Sequence, residues 1–427
     1  MTRFQIILTA IFGFFIVVGV LVFSAYKGSG AQAATVVVWG TIPQSEFSQI
    51  LQQTTLLNND AYHVQYVEKS ADTFDAAFIE ALASGNGPDL FMLPSDRIVK
   101  HFNKILEIPY DVFSERQFKD AFIEGAEIYL SPNGVVGFPV SVNPLVMYWN
   151  RQIFTDAKLT APPKYWDEFF DLAKKISKKD GSLNVSKSAV SFGEFANIAH
   201  AKDIILNLTM QAGSPITVWN NGTIWSVFSA SFDKPTAPSE AAVTFYTEFG
   251  NPAKEAYSWN RSLPNSTNYF LSGDLALYFG LASEAPILQL KNPNLNFDVA
   301  PVPTSREGKE NVSFASFNAF AVTKASKNPQ AAFMVASILS DTDGATAVAS
   351  VLGLPPARRD LLGKKPKNAY QSVFYDSAIR SRSWLDPSPE RSTFIFKTMI
   401  ESITSGRSRV SEAISQADRE LQNLFSK

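Results

Sequence analysis

The sequence predicts an α/β protein of two lobes preceded by one N-terminal transmembrane helix, and three observations carry that expectation. The chain has 427 residues, 45% of them apolar and 13% aromatic, which is more than one compact core can use. From Thr35 onward, short buried strands alternate with helical spacing, the pattern of a doubly wound parallel sheet. Ahead of that region, Phe4 to Ala25 is apolar apart from Gln5, Thr9 and Ser24, long enough at a helical rise to cross a bilayer.

The apolar run comes first in the chain. It exceeds the usual core of a cleaved signal, and Lys27 caps its outer end, so an uncleaved anchor is expected. Ala31-Gln32-Ala33 keeps cleavage near Ala33 open as the alternative. Either way Arg3 stays inside and the residues beyond about 28 are exported to the outer face of the membrane. Residues 1–34 are therefore an anchor or signal with a short tether.

Thr35-Val36-Val37-Val38-Trp39-Gly40 follows as a buried parallel strand. Ser45 to Gln53 has helical spacing, Tyr62 to Val67 alternates as a strand, and Asp72 to Ser84 is a helix that Gly85-Asn86-Gly87-Pro88 stops. Asp89-Leu90-Phe91-Met92-Leu93 is the next buried strand, with Asp89 expected to bond backbone donors after its Gly-Pro turn. A β-rich stretch reaches Asn150, and Pro162-Pro163-Lys164-Tyr165-Trp166-Asp167-Glu168 reads as a proline-entered helix start.

Composition removes several function classes. A net charge of −2 with interspersed signs gives no field for nucleic acid. With no cysteine there is no disulfide, thiolate nucleophile, iron–sulfur cluster or acylated lipoprotein cysteine. His63, His101 and His200 are too scattered for a helical metal motif and read as structural or surface residues. No cofactor or metal is expected. Nucleophile elbows, P-loops and dinucleotide fingerprints are also missing, and Glu124 with Glu127 reads as a solvated face rather than an acid–base pair. An enzyme is not expected; a membrane-anchored glycoside hydrolase is the distant alternative.

Seven motifs in order then resemble one family. They are Val36-Val37-Val38-Trp39-Gly40; Ala81 to Leu90 around Gly87-Pro88-Asp89; Gly137-Phe138-Pro139 with Met147-Tyr148-Trp149-Asn150; Pro162 to Glu168; Phe270-Leu271-Ser272-Gly273-Asp274-Leu275-Ala276; Phe297 to Pro303 with Phe320 to Ala332; and Leu352-Gly353-Leu354-Pro355-Pro356. Together they are similar to the bacterial extracellular solute-binding proteins of family 1, which include maltose- and other sugar-binding receptors of ABC importers.

The resemblance implies a type II-like periplasmic-binding-protein fold with discontinuous lobes: residues 35–142 and 303–345 in the first, 143–302 and 346–427 in the second. It also implies a monomer that captures a small solute, a sugar or oligosaccharide, by hinge closure and delivers it to ABC permease subunits. Asp96 and Arg97 stand where sugar-binding relatives carry an aspartate and an arginine, although Leu93 replaces their aromatic. Asn143 lies just past the first crossing, where relatives carry a polar contact, and Trp149 follows it. The tryptophan usual after the Gly273 strand is missing, which moves the stacking platform to Phe279 or Trp384.

Sugar rings want flat aromatics with a few hydrogen-bonding groups. Among the second-lobe aromatics, Trp225 and Trp259 are expected at the cleft because their surroundings are polar and loop-like. The alternative solute is anionic or otherwise polar, with Arg261, Arg380 or Arg382 as its partner.

Overall fold

In the computed structural model, residues 33–306 and 311–426 are described. The first strands appear where the periodicity puts them: β1 (Ala34–Gly40), α1 (Gln44–Gln52), β2 (Tyr62–Glu68), α2 (Phe74–Ala83) and β3 (Leu90–Pro94). Gly85, at φ +73°, ends α2, and the amide of Asn86 returns to the Ala81 carbonyl at 2.9 Å, a Schellman closure that only a residue free of Cβ strain makes cheaply. Asp89 behaves as a pin: its carboxylate accepts from the Val37 amide at 3.0 Å and the Ser326 hydroxyl at 2.6 Å.

The chain continues with α3 (Ile98–His101), β4 (Phe138–Asn150), α4 (Glu168–Ile176), β5 (Val185–Val190), α5 (Ala201–Gln211), β6 (Thr217–Asn220), β7 (Thr223–Ser226), β8 (Leu275–Leu281), β9 (Phe297–Pro301) and β10 (Ser313–Val322). Near the C-terminus, α6 (Pro329–Ser340), α7 (Thr342–Leu352), α8 (Pro389–Thr404) and α9 (Val410–Phe425) follow. α4 starts at Glu168 and not at the prolines, because Tyr165 bridges to Thr304 and the Trp166 amide donates to the Thr304 carbonyl. That bridge keeps the backbone out of the helix as far as Tyr165, and Trp166 and Asp167 make the turn that leads into α4.

One sheet runs through the molecule in the order β2-β1-β3-β10-β4-β8-β5. β1, β2 and β3 are parallel, whereas β10 and β4 are antiparallel to their neighbours on both sides. β4 is the crossing strand. Its first half, Phe138 to Pro144, pairs with β10, and its second half, Leu145 to Asn150, pairs with β8 and β9.

Burial follows the same division. One apolar cluster holds Val36 to Val142 and resumes at Ala315 through α6 and α7; a second holds Leu145 to Phe314 and the last two helices, α8 and α9. Two cores on one sheet give the two lobes. Among the described residues no helix is long and apolar enough to cross a membrane, and the expected anchor at Phe4 to Ala25 lies outside the described residues.

Candidate functional site

The carboxyl end of β3 and the middle of β10 build a polar cavity of about 300 Å³ on the first lobe. Pro94 turns the chain out of β3 into a 3₁₀ turn, Ser95–Arg97, which presents Asp96 and Arg97. Strand alternation sends Ser316 and Asn318 of β10 into the same space, while Phe317 points to the opposite face against Gly125. Tyr129, fully buried, clamps the two strands by its hydroxyl at the Leu93 and Phe317 carbonyls, 2.9 and 3.0 Å.

Arg97 is held on both sides. Its guanidinium donates to Asp75 at 2.6 Å and to Glu390 of α8, in the other lobe, at 2.6 Å. Asp75 also takes Lys100 at 2.6 Å and the His101 ring at 2.8 Å. Burial works against the Asp75 charge, but the bonds from Lys100 and His101 outweigh it and keep the pKa below the usual carboxylate range.

Asp96 differs. Among the described residues its carboxylate has no hydrogen-bond donor, and its nearest cation is Arg97 at 4.0 Å. Its side chain is still 44% exposed at the mouth of the cleft, yet desolvation by the facing lobes, opposed by Arg97 and reinforced by Asp386, pushes its pKa up to about 6. Ser316 and Asn318 likewise carry no side-chain hydrogen bond to protein among the described residues. The cavity therefore offers one carboxylate, one amide and one hydroxyl, all free to bind.

The second lobe faces it with charge already paired. Lys202, at the start of α5, holds the fully buried Asp386 at 2.9 Å, and Asp386 also accepts from Ser392 at 2.8 Å. His200, in left-handed backbone at φ 58°, places its two ring nitrogens 2.9 Å from Asp203 and 2.6 Å from Glu284. Burial opposes charge on that ring, yet the two carboxylates push its pKa up to about 10. Tyr278 donates to Glu284 at 2.6 Å and completes the chain.

Where the lobes meet, Asn143 locks onto the turn after β8. Its amide donates to the Ser283 hydroxyl at 2.9 Å, and its carbonyl accepts the Ser283 amide at 3.0 Å.

The aromatics do not converge there. Trp259 is wholly buried, with its indole N–H on Asn197 at 3.2 Å and its ring edge-on to Tyr269. Phe279 is stacked with Trp166 inside the second core. Trp149 packs edge-on to Phe154. Trp225 is 49% exposed on β7 and donates to its own strand's Thr223. Trp384 is buried against Phe396 and lines a different cavity. The polar loops around Trp259 suggested exposure; instead they satisfy its N–H inside a core.

Of the residues singled out in sequence, the structure brings Asp96 and Arg97 together and sets Asn143 at the crossing. It adds Ser316, Asn318, Asp75 and Glu390, which carry no local motif. Only the alternation of β10 would have pointed to the first two.

A profile described as bacterial extracellular solute-binding protein matches residues 52–372. The chain belongs to this family. A putative binding protein of Brucella abortus (strain 2308) is 23% identical over 288 residues, 65% of this chain and 64% of the relative. A maltooligosaccharide ABC transporter solute-binding lipoprotein of Streptococcus pneumoniae is 24% identical over 270 residues, 61% of this chain and 57% of that protein. The chain thus spans less than two thirds of the length of these curated relatives. Among solved structures, a cyclo/maltodextrin-binding protein complexed with maltotetraose superposes with a TM-score of 0.73 at 17% identity, covering 92% of this chain and 98% of that one. The sugar-binding protein MalE of Xanthomonas citri gives the same values. These likenesses establish the two-lobed α/β solute-binding fold.

Proposed function

We propose that this member of the family captures a small neutral sugar between its lobes and hands it to an ABC importer without altering it. The observation that carries the reading is the cavity of Asp96, Ser316 and Asn318, whose side-chain polar atoms have no hydrogen-bond partner among the described residues and which abuts the interlobe pair Arg97–Glu390. Hydroxyls both donate and accept, as such a set requires. A solute that bonds there while the second lobe covers it favours the closed arrangement by its contacts with both sides.

An anionic solute fits less well. Arg97 and Lys202 are each already matched by a carboxylate, so an anion would have to displace one. Two of the similar proteins are named for maltodextrin and maltooligosaccharide, which favours a sugar as well.

In this reading the first lobe comprises residues 35–142 with the segment after 314 that includes α6 and α7, and the second comprises 143–314 with α8 and α9. The change of core between Phe314 and Ala315 supports moving the second crossing from Pro303 to that point. The chain acts as a monomer, tethered outside the membrane by Phe4 to Ala25, which holds it near its permease at high effective concentration.

Calorimetric titration of the full-length chain with mono-, di- and trisaccharides, followed by chromatography of each sugar, tests the proposal. Saturable binding that weakens in Asp96→Ala and Asn318→Ala, with every sugar recovered intact, is the expected result. Hydrolysis of any of them, or no binding across the panel, overturns it.

A further inference from the structure

A second cavity, of about 410 Å³, lies between the lobes on the other side of β10 from the polar one. The alternation of that strand separates them: Ser316 and Asn318 face the polar cavity, and Phe317 faces Gly125, which lines the second. Its walls come from both lobes. Ile128 belongs to the first lobe, and Met210, Pro215, Trp219 and Trp384 are brought by the second, with Arg382 at the edge.

One wall is the hairpin β6–β7. It turns at Asn221-Gly222, both at positive φ, the two-residue type I′ arrangement that suits the twist of a hairpin. Its root is in the second lobe, where the Ser226 and Phe228 amides donate to Gln422 and Asp418 of α9 at 2.8 and 3.1 Å. Its strands nevertheless pack on the first lobe: Trp219 and Ile224 lie against that core, and the Trp219 ring sits 5.9 Å from Phe102. The cavity is thus bounded by a segment that touches both moving bodies.

Ring surface and charge indicate what fits. Two indoles, a methionine and a proline make an apolar slot. Among the described residues Arg382 has a single carboxylate partner, Glu124 at 2.6 Å, where Arg97 is held by both Asp75 and Glu390 and Lys202 by the fully buried Asp386; Glu124 is 61% exposed, so it is free to return to water. The other acid of that turn, Glu127, is paired with Lys119 at 3.3 Å. A planar molecule with a carboxylate at one end would place its ring among the indoles and its charge on Arg382.

We propose that this cavity is a second binding site, for a small aromatic carboxylate, and that its occupancy is coupled to movement of the lobes. An occupant touching both lobes must bind their arrangements unequally and so shift their populations. The coupling rests on the hinge reading above; the binding does not.

Indole-3-acetate is a suitable probe, with the full-length chain as receptor. Calorimetry is expected to show one saturable site that weakens about tenfold in Arg382→Gln, the loss of one charge-assisted bond, and vanishes in Ile128→Trp, which fills the slot. The absence of cysteine allows spin labels at Ile79→Cys on one lobe and Leu290→Cys on the other, both exposed. Their distance distribution should narrow when the probe is added. No saturable binding, or binding indifferent to both substitutions, overturns the site, and saturable binding with an unchanged distribution overturns the coupling. Neither readout involves a sugar, so failure here is distinguishable from failure of the sugar reading.

Discussion

Arg97 of the first lobe and Glu390 of the second meet at 2.6 Å across the mouth of the cleft. Because the same guanidinium also holds Asp75 beside the polar cavity, the group nearest the proposed solute is the one that ties the lobes together. Glu390 is 58% exposed, so the pair adds little to folding, about 0–1 kcal/mol.

Glu390→Gln should therefore leave the melting temperature almost unchanged while raising the radius of gyration in solution scattering, as the open arrangement gains population. A radius identical to that of the unaltered chain would detach this pair from closure.

Asp96 gives the fold a dependence on acidity. An acid whose folded pKa, about 6, lies above its ordinary 3.8 stabilises the fold when protonated. Its contribution is complete below about pH 4 and is lost as pH rises through 6. Asp96→Asn should flatten the melting temperature between those values and raise it at pH 7. Melting curves across that range decide the matter.

His200 acts in the opposite region. A base whose pKa rises from 6.5 to about 10 on folding contributes stability that is whole below 6.5 and lost as pH climbs through 10. His200→Gln would leave Glu284 and Asp203 without their shared cation, at a cost of about 3 kcal/mol. The loss should be evident at pH 7 by urea denaturation and shrink toward pH 10.

The two tryptophans expected at the cleft should respond differently. Trp259→Ala opens a hole in a full core and should cost about 3–5 kcal/mol. Trp225→Ala, at an exposed strand position, should change stability by less than about 0.5 kcal/mol. Chemical denaturation of the pair distinguishes a packed ring from a surface one.

The alternating strands and helices of the first lobe were legible in sequence because apolar periodicity and the Gly85 to Pro88 stop are local signals. So were Asp96 and Arg97, through the resemblance that marks the end of β3. Ser316 and Asn318 were not, since their importance depends on β10 arriving beside β3 from more than two hundred residues away. Trp259 misled for the related reason that a polar neighbour such as Asn197 can be a core partner as easily as a sign of solvent. The Asn221-Gly222 turn is a local hairpin signal, set between the aromatic residues Trp219 and Trp225.

β4 serves two cores with one unbroken backbone, Val142 in the first and Leu145 in the second. Loss of packing in either body would pull the other's ladder out of register, so neither can come apart alone without fraying its companion. Heating should accordingly produce a single calorimetric peak, and the cell's proteases should meet this molecule as one unit and not as two.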